Sequence, residues 1–177
     1  MVCRHKQVHK FCSGCKAPTL KDCNCTHPSV LVDASFLLQT LEGQYADEAR
    51  NYIEDHGNRH IITVTPLILG EVLKRLVKDA GEPHAKSWLN ANWKILSNMN
   101  IVEIPMGEPL YIEVIQGLMA SGCRCLQRDQ IHIGTAAILG IPFLFYDGKI
   151  KEDQGTIDKT LKAIDPDLKF RPHKLSR

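Results

Sequence analysis

The stretch Gln127-Arg-Asp-Gln-Ile-His-Ile-Gly-Thr-Ala-Ala-Ile-Leu-Gly-Ile-Pro-Phe-Leu-Phe-Tyr-Asp-Gly148 decides how this chain folds. Asp129 opens an apolar pattern with helical spacing, the turn Gly140-Ile-Pro142 ends it, and the apolar run that follows stops at Asp147. This order predicts a helix over 129–139 and then a buried strand over 141–146. A helix followed by such a strand would bring both carboxylates to one end of a sheet.

Two acids earlier in the chain lie where they would reach the same edge. The apolar, β-branched run Val30-Leu-Val32 is typical of a strand buried on both faces, and Asp33 follows it. A second strand is predicted over 59–64. Thr65-Pro66 after it is a favourable helix start, because threonine caps helices and proline suits the first turn. Glu71 then falls on the second turn of that helix, within a wide apolar stripe.

Strands that alternate with helices predict an α/β fold: a three-layer α/β/α domain with a mainly parallel central sheet. Apolar spacing places a third strand over 100–105 and further helices over 108–119 and 156–164. We expect Trp88 and Trp93 to pack in the core rather than to stack on bases.

Composition divides the chain into a Cys/His-rich segment over 1–28, a domain over 29–167 and a basic tail over 168–177. Residues 1–29 carry five Lys/Arg and one acid, whereas the remainder carries 17 basic and 19 acidic side chains. Basic ends of this kind could contact phosphate backbones. No apolar run approaches the roughly 20 residues that a membrane span needs, and the first residues lack the apolar core of a signal peptide. We therefore expect a cytoplasmic location and no membrane partner.

The N-terminal segment has the spacing of a zinc site. Five of the seven cysteines fall within residues 3–25, interleaved with histidines. A disulfide framework is not expected without a secretory signal, and this spacing is typical of structural Zn2+ sites. A disordered tail with reactive thiols and an iron–sulfur cluster are the alternatives, and the histidines favour zinc over the cluster. We predict one zinc site at Cys12, Cys15, Cys23 and Cys25, and a second could use Cys3, His5, His9 and His27.

The loop before the helix over 129–139 carries two cysteines and two arginines. Cys123 and Cys125 could join a metal site of the N-terminal segment, but we interpret them as ordinary loop thiols because other ligands are plentiful. Arg124 and Arg128 stand beside the predicted acids, where they could form ion pairs or bind RNA phosphates. His132 could also reach the acids, although a lone histidine there is more often a packing or hydrogen-bonding residue.

Four carboxylates at one sheet edge would repel one another strongly unless a divalent cation neutralised them. Parallel α/β sheets bind ligands outside the carboxyl ends of their strands, which is where we expect Asp33, Glu71, Asp129 and Asp147. Mg2+ or Mn2+ is the expected ion because both prefer oxygen ligands. Such a site can activate water and neutralise the charge that develops when a phosphodiester is displaced in line, which is nuclease chemistry.

The four acidic motifs, in this order over about residues 29–165, resemble those of the PIN-domain family. Val30-Leu-Val-Asp33-Ala-Ser35 is similar to its first motif, and Ser35 matches a hydroxyl residue that supports the site in the family. Thr65-Pro-Leu-Ile-Leu-Gly-Glu71-Val is similar to the second motif, and the stretch that opens with Asp129 contains the third and fourth. One departure is Phe145, at or beside a position where many members carry Ser or Thr.

The resemblance implies a ribonuclease with one or two Mg2+ or Mn2+ ions, RNA as its partner, and frequent dimerisation. We predict an endoribonuclease that hydrolyses RNA phosphodiester bonds in RNA processing or decay. One alternative is a VapC-type toxin with an antitoxin partner, and another is a PIN-like scaffold that binds RNA or an RNA-processing complex without catalysis. A haloacid-dehalogenase-like phosphatase is disfavoured, because its second aspartate would stand where this chain has Ser35. A phosphate-binding glycine loop is absent from the sequence.

Overall fold

A computed structural model describes residues 29–42, 61–97, 99–146 and 148–174 of the chain. The zinc sites predicted within residues 1–28 therefore lie outside the described residues. The Asp147 carboxylate and the last three residues of the predicted basic tail also lie outside them.

A parallel sheet of five short strands carries the predicted site edge. Its strands are β1 (Ser29–Val32), β2 (Ile61–Val64), β3 (Asn100–Ile101), β4 (Phe143–Phe145) and β5 (Pro172–Lys174). They lie in the order β3-β2-β1-β4-β5, and every neighbouring pair is parallel. Leu31 in β1 pairs with Thr63 in β2 and with Phe143 in β4. Because all strands run the same way, their carboxyl ends meet at one edge.

Helices pack in two groups around this sheet. They are α1 (Ala34–Glu42), α2 (Pro66–Leu96), α3 (Pro109–Ala120), α4 (Gln127–Leu139), α5 (Gly148–Glu152) and α6 (Gln154–Ile164). Helix α1 packs against α2, whereas α3 packs against both α4 and α6. The predicted three-layer α/β/α fold with a parallel sheet is thus confirmed. None of the helices in the described ranges is long and apolar enough to cross a bilayer.

The two central strands form the most buried part of the domain. Leu31 and Val32 in β1 and Phe143 and Leu144 in β4 are fully buried. Burying one such side chain stabilises the fold by about 1.5–3 kcal/mol. Apolar residues at consecutive positions are expected for strands covered on both faces by helices. The apolar runs that predicted β1 and β4 therefore reflect the buried position of these strands within the sheet.

Helix α2 contains the break that Gly81-Glu-Pro83 suggests. Gly81 has φ 83° and ψ 169°, a conformation outside the helix that glycine adopts without steric penalty. Beyond it Trp88 is buried as predicted, but Trp93 is 65% exposed, so its prediction as a core residue is wrong. Since Trp93 lies five positions after Trp88, the two side chains project from different sides of the helix.

The boundary at residue 168 is corrected by the structure. Leu168 and Phe170 are buried in the core, and β5 over Pro172–Lys174 pairs with β4. Leu168 and Phe170 alternate with Lys169, a strand-like pattern that indicates a segment with one face on the core. The domain therefore continues through residue 174.

Candidate metal centre

Asp33 lies at the junction between β1 and α1. Its backbone N–H donates to Leu144 O (2.9 Å) in β4, and its carbonyl accepts from Phe36 N (3.1 Å) as α1 begins. The buried carboxylate is held by Ser35, whose Oγ donates to Asp33 Oδ2 at 2.5 Å and whose backbone N–H lies 3.3 Å from the same oxygen. These contacts fix the orientation of the carboxylate, while the supporting role of Ser35 in catalysis stays a prediction.

Glu71 is positioned by the way α2 begins. Thr65 Oγ1 accepts a hydrogen bond from Ile68 N (3.2 Å), which is the capping contact that threonine supplies at a helix start. Glu71 follows on the second turn, and its side chain is 16% exposed. A carboxylate so little exposed needs a partner or an ion.

His132 is the partner that the structure places beside it. His132 Nε2 lies 3.2 Å from Glu71 Oε1, and the imidazole is fully buried. Asp33, Glu71 and His132 each offer one ligand atom, and the three atoms lie within 4.8 Å of one another. His132 Nδ1 is buried without a hydrogen-bond partner among the described residues. The sequence placed His132 within reach of the acids, because its spacing of three from Asp129 puts both on one side of a helix, but it gave no reason to assign His132 to the site.

Asp129 has a local role at the start of α4. Its Oδ2 accepts a hydrogen bond from the backbone N–H of Leu126 (3.0 Å), the contact of a residue that caps a helix N-terminus. Among the described residues, Asp129 is not part of the group within 4.8 Å. Arg128 connects it to that group, because Arg128 Nε lies 3.7 Å from Glu71 Oε2 and 3.8 Å from Asp129 Oδ1.

The two predicted RNA-binding arginines lie in different surroundings. The Arg128 side chain is 57% exposed and stands beside the carboxylates of the candidate centre. Arg124 Nη2 pairs with Glu152 Oε2 at 2.9 Å, and its Nε lies 3.4 Å from Asp153 Oδ1. Arg124 is thus already engaged with acids, and RNA binding by either arginine stays a prediction.

The donor set fits a divalent cation. Two carboxylates and one imidazole with little exposure supply hard oxygen atoms and one nitrogen atom, which suits Mn2+ and allows Mg2+. The separation of His132 Nε2 and Glu71 Oε1 is compatible either with a hydrogen bond or with two ligands on one ion. Two of the four predicted acids, Asp33 and Glu71, thus lie together with His132. The Arg128 side chain stands between Glu71 and Asp129.

Comparison with known proteins yields no match to a protein-family model and no match among curated sequences. Solved structures do match. A chain of the VapBC2 complex from Rickettsia felis, bound to a promoter DNA fragment, aligns with a TM-score of 0.60 at 16% identity, covering 83% of this chain and 98% of that one. VapC20 of Mycobacterium tuberculosis, a sarcin–ricin loop cleaving toxin, aligns with a TM-score of 0.54 at 17% identity, covering 70% and 94%.

A chain of the FitAcB structure from Neisseria gonorrhoeae gives a TM-score of 0.57 at 12% identity and covers 82% of this chain and 96% of that one. Identities this low carry information about the fold alone. VapC-type structures belong to the PIN-domain proteins, and the likeness covers nearly all of those chains and 70–83% of this one. This chain therefore has the PIN-domain fold, the fold of the family that its four acidic motifs resemble.

Proposed function

We propose that the protein is a metal-dependent endoribonuclease that hydrolyses RNA phosphodiester bonds in RNA processing or decay. The observation that carries this proposal is the group of Asp33, Glu71 and His132 at the carboxyl edge of a parallel sheet with the PIN-domain fold. Ligands bind at this edge in open α/β sheets. Asp33 is buried and Glu71 is little exposed, and two carboxylates this close repel each other unless a cation lies between them, which supports an ion-binding role.

Each side chain of the centre has a part in this proposal. Asp33 and Glu71 hold Mg2+ or Mn2+, and Asp129 and Asp147 are the other two ligands that the sequence predicts. When bound, such an ion activates water and neutralises charge on the phosphate. Ser35 keeps the Asp33 carboxylate in one orientation. Arg128 supplies an exposed guanidinium beside the acids, suited to bidentate contact with a phosphate.

Cleavage of labelled single-stranded and structured RNAs tests the proposal, using the full chain in Mg2+, in Mn2+ and in chelator. We expect Asp33→Asn, Glu71→Gln and Asp129→Asn to lower the cleavage rate by about a hundredfold or more, the scale on which loss of an electrostatic stabiliser acts. Glu82→Gln is the matched control, because Glu82 is an exposed acid on the same helix as Glu71. Cleavage that persists in chelator or in Asp33→Asn would contradict the assignment, and RNA binding without cleavage would favour the scaffold alternative.

A VapC-type toxin is the second candidate function. It is favoured by the origin of the similar structures, which include the VapBC2 complex and a toxin–antitoxin complex from Klebsiella pneumoniae. Under this proposal the partners are an antitoxin protein and a second copy of the chain. Induced expression in a bacterial host should then arrest growth, and Asp33→Asn should relieve the arrest. Normal growth with an enzyme that is active in vitro would favour RNA processing.

The N-terminal zinc site is a separate proposal that rests on cysteine spacing. Serine at the four predicted thiolate ligands should lower the zinc content of the full chain by about one ion. Unchanged zinc content would show that this site was wrongly proposed. The four positions to replace together are Cys12, Cys15, Cys23 and Cys25.

A further inference from the structure

A second group of potential metal ligands lies outside the candidate centre. Cys123 and Cys125 belong to the loop between α3 and α4, and Asp153 lies between α5 and α6. Their two sulfur atoms and one carboxylate oxygen lie within 4.8 Å of one another. Cys125 and Asp153 are buried and Cys123 is partly exposed, so the group can be reached from one side.

The loop is folded around the Asp153 carboxylate. Asp153 Oδ2 accepts hydrogen bonds from the backbone N–H groups of Arg124 (2.5 Å) and Cys125 (3.0 Å). These two contacts hold the Cys123-Arg-Cys125 backbone against the acid, which brings both thiols near it. Ser121 Oγ lies 2.9 Å from Cys123 Sγ, where it can donate to that sulfur in the thiolate form. Outer contacts of this kind orient the ligands of protein metal sites.

The electrostatic environment favours a cation over a free thiolate. Burial, followed by the negative charges of Cys123, Asp129 and Asp153, raises the pKa of Cys125 to about 12. A cation at this place would be attracted by the Asp153 carboxylate, and both thiols would release their protons when it binds.

We propose that Cys123, Cys125 and Asp153 bind a thiophilic divalent cation, Zn2+, with a fourth position open to water or another ligand. Two thiolates and one carboxylate exceed the charge of the ion by one, and the Arg124 guanidinium beside Asp153 compensates for it. Zn2+ accepts this sulfur and oxygen ligand set in tetrahedral geometry.

The proposed ion joins two segments that are distant in sequence, near the start of α4. Leu126, the residue after Cys125, donates its backbone N–H to Asp129. Zinc at this place would stabilise the first turn of the helix that carries Arg128, Asp129 and His132. None of its three ligands belongs to the candidate metal centre, so zinc binding can be tested without measuring RNA cleavage.

Co2+ titration of a full-length variant without N-terminal thiols isolates this site. Tetrahedral Co2+ replaces Zn2+ and gives a near-ultraviolet absorption only when thiolates bind it. We expect this band to saturate at about one Co2+ per chain, since this variant retains Cys123 and Cys125 as its thiols. Zinc should then abolish the band by displacement. The variant carries serine at Cys3, Cys12, Cys15, Cys23 and Cys25.

Single substitutions in that background identify the ligands. Cys123→Ser and Cys125→Ser should remove most of the band, and Asp153→Asn should weaken Co2+ binding at least about tenfold. Asn at 153 keeps a carbonyl oxygen for the two backbone N–H groups, so the loop retains its hydrogen bonds. Glu152→Gln is the matched control and should change the affinity by less than about twofold, because Glu152 contacts Arg124 but is not a ligand.

Two results would overturn the proposal. One is the absence of a thiolate band in reducing buffer from the five-serine variant when its far-ultraviolet circular dichroism equals that of the wild type. The other is equal Co2+ affinity in Asp153→Asn and Glu152→Gln. If the five-serine variant does not fold, the same test uses the otherwise wild-type chain, where Cys125→Ser and Asp153→Asn should each reduce the bound Zn2+ by about one ion. Unchanged zinc content in both would likewise overturn it.

Discussion

His132 Nε2 lies 3.2 Å from Glu71 Oε1, although the two residues are 61 positions apart and belong to different helices. A buried imidazole that contacts a carboxylate limits the orientations available to that carboxylate. It can do so as a hydrogen-bond donor or as a second ligand on the same ion. In both cases His132 is expected to influence metal binding.

Replacing His132 should weaken the binding of Mn2+ at the candidate metal centre. We expect His132→Ala to raise the Mn2+ concentration for half-maximal RNA cleavage by about tenfold, the effect typical of lost outer contacts in metal sites. His132→Gln should restore part of the affinity, because its amide can donate to Glu71. Isothermal titration with Mn2+ provides a readout without RNA. Equal Mn2+ affinity in wild type and His132→Ala would contradict a role at the centre.

The hydroxyl of Ser35 is expected to hold the Asp33 carboxylate in position through its hydrogen bond. Ser35→Ala removes the 2.5 Å hydrogen bond, so unfolding in urea should show a loss of about 1 kcal/mol, and RNA cleavage should slow. Ser35→Thr keeps the hydroxyl and is the matched control. If Ala and Thr at this position gave the same cleavage rate, the hydroxyl would have no part in supporting Asp33.

The sequence predicted the sheet edge because its signals are local. Val30-Leu-Val32 and the run before Tyr146 are apolar at consecutive positions, which indicates buried parallel strands without knowledge of their neighbours. Asp33 and Glu71 could then be placed from the strand end and the Thr65-Pro66 helix start. The structure confirms both elements and brings the two carboxylates together.

The remaining features depend on contacts between distant segments. The approach of His132 to Glu71 requires the packing of two helices, which helical spacing alone does not define. Asp153 lies 28 residues beyond Cys125, so the sequence alone did not indicate that this acid lies beside the two thiols. The sequence did not predict β5, because this three-residue edge strand forms by pairing with β4. So short a segment has no sequence pattern that would indicate the pairing.

Arg128 and Arg124 should differ in their effect on RNA binding. Arg128→Ala is expected to lower RNA affinity and to reduce the slope of log affinity against log salt by about 0.7, the value for one phosphate contact on a single strand. Arg124→Ala should leave this slope unchanged, because Arg124 pairs with Glu152 and Asp153 at 2.9 and 3.4 Å, whereas the acids beside Arg128 lie 3.7 Å or more from its Nε. Fluorescence anisotropy at several salt concentrations measures both. A reduced slope in Arg124→Ala would show that it also contacts RNA, as its sequence position suggested.

Gly134 allows α4 to approach α3 closely. A Cβ at position 134 would lie 2.6 Å from Ile115 Cδ1 and 3.2 Å from Val114 Cγ1. Gly134→Ala should therefore destabilise the protein by about 1–3 kcal/mol in urea unfolding. Gly155→Ala is the control in helix α6, where a Cβ would meet nothing within 4 Å, and it should be stabilising by about 0.5–1 kcal/mol. Equal effects at the two positions would contradict tight packing at Gly134.

Binding of Mn2+ should stabilise the folded chain even without RNA. An ion that binds only the folded state at about 100 times its Kd adds about 2.7 kcal/mol, so the thermal unfolding midpoint should rise with Mn2+ concentration. Asp33→Asn and Glu71→Gln should abolish this rise. In metal-free buffer they should unfold at or above the wild-type temperature, because each removes one of two crowded carboxylates. Glu82→Gln should behave as the wild type under both conditions. An Mn2+-dependent rise that survives in both site variants would locate the ion elsewhere and contradict the proposed centre, independently of any measurement of RNA cleavage.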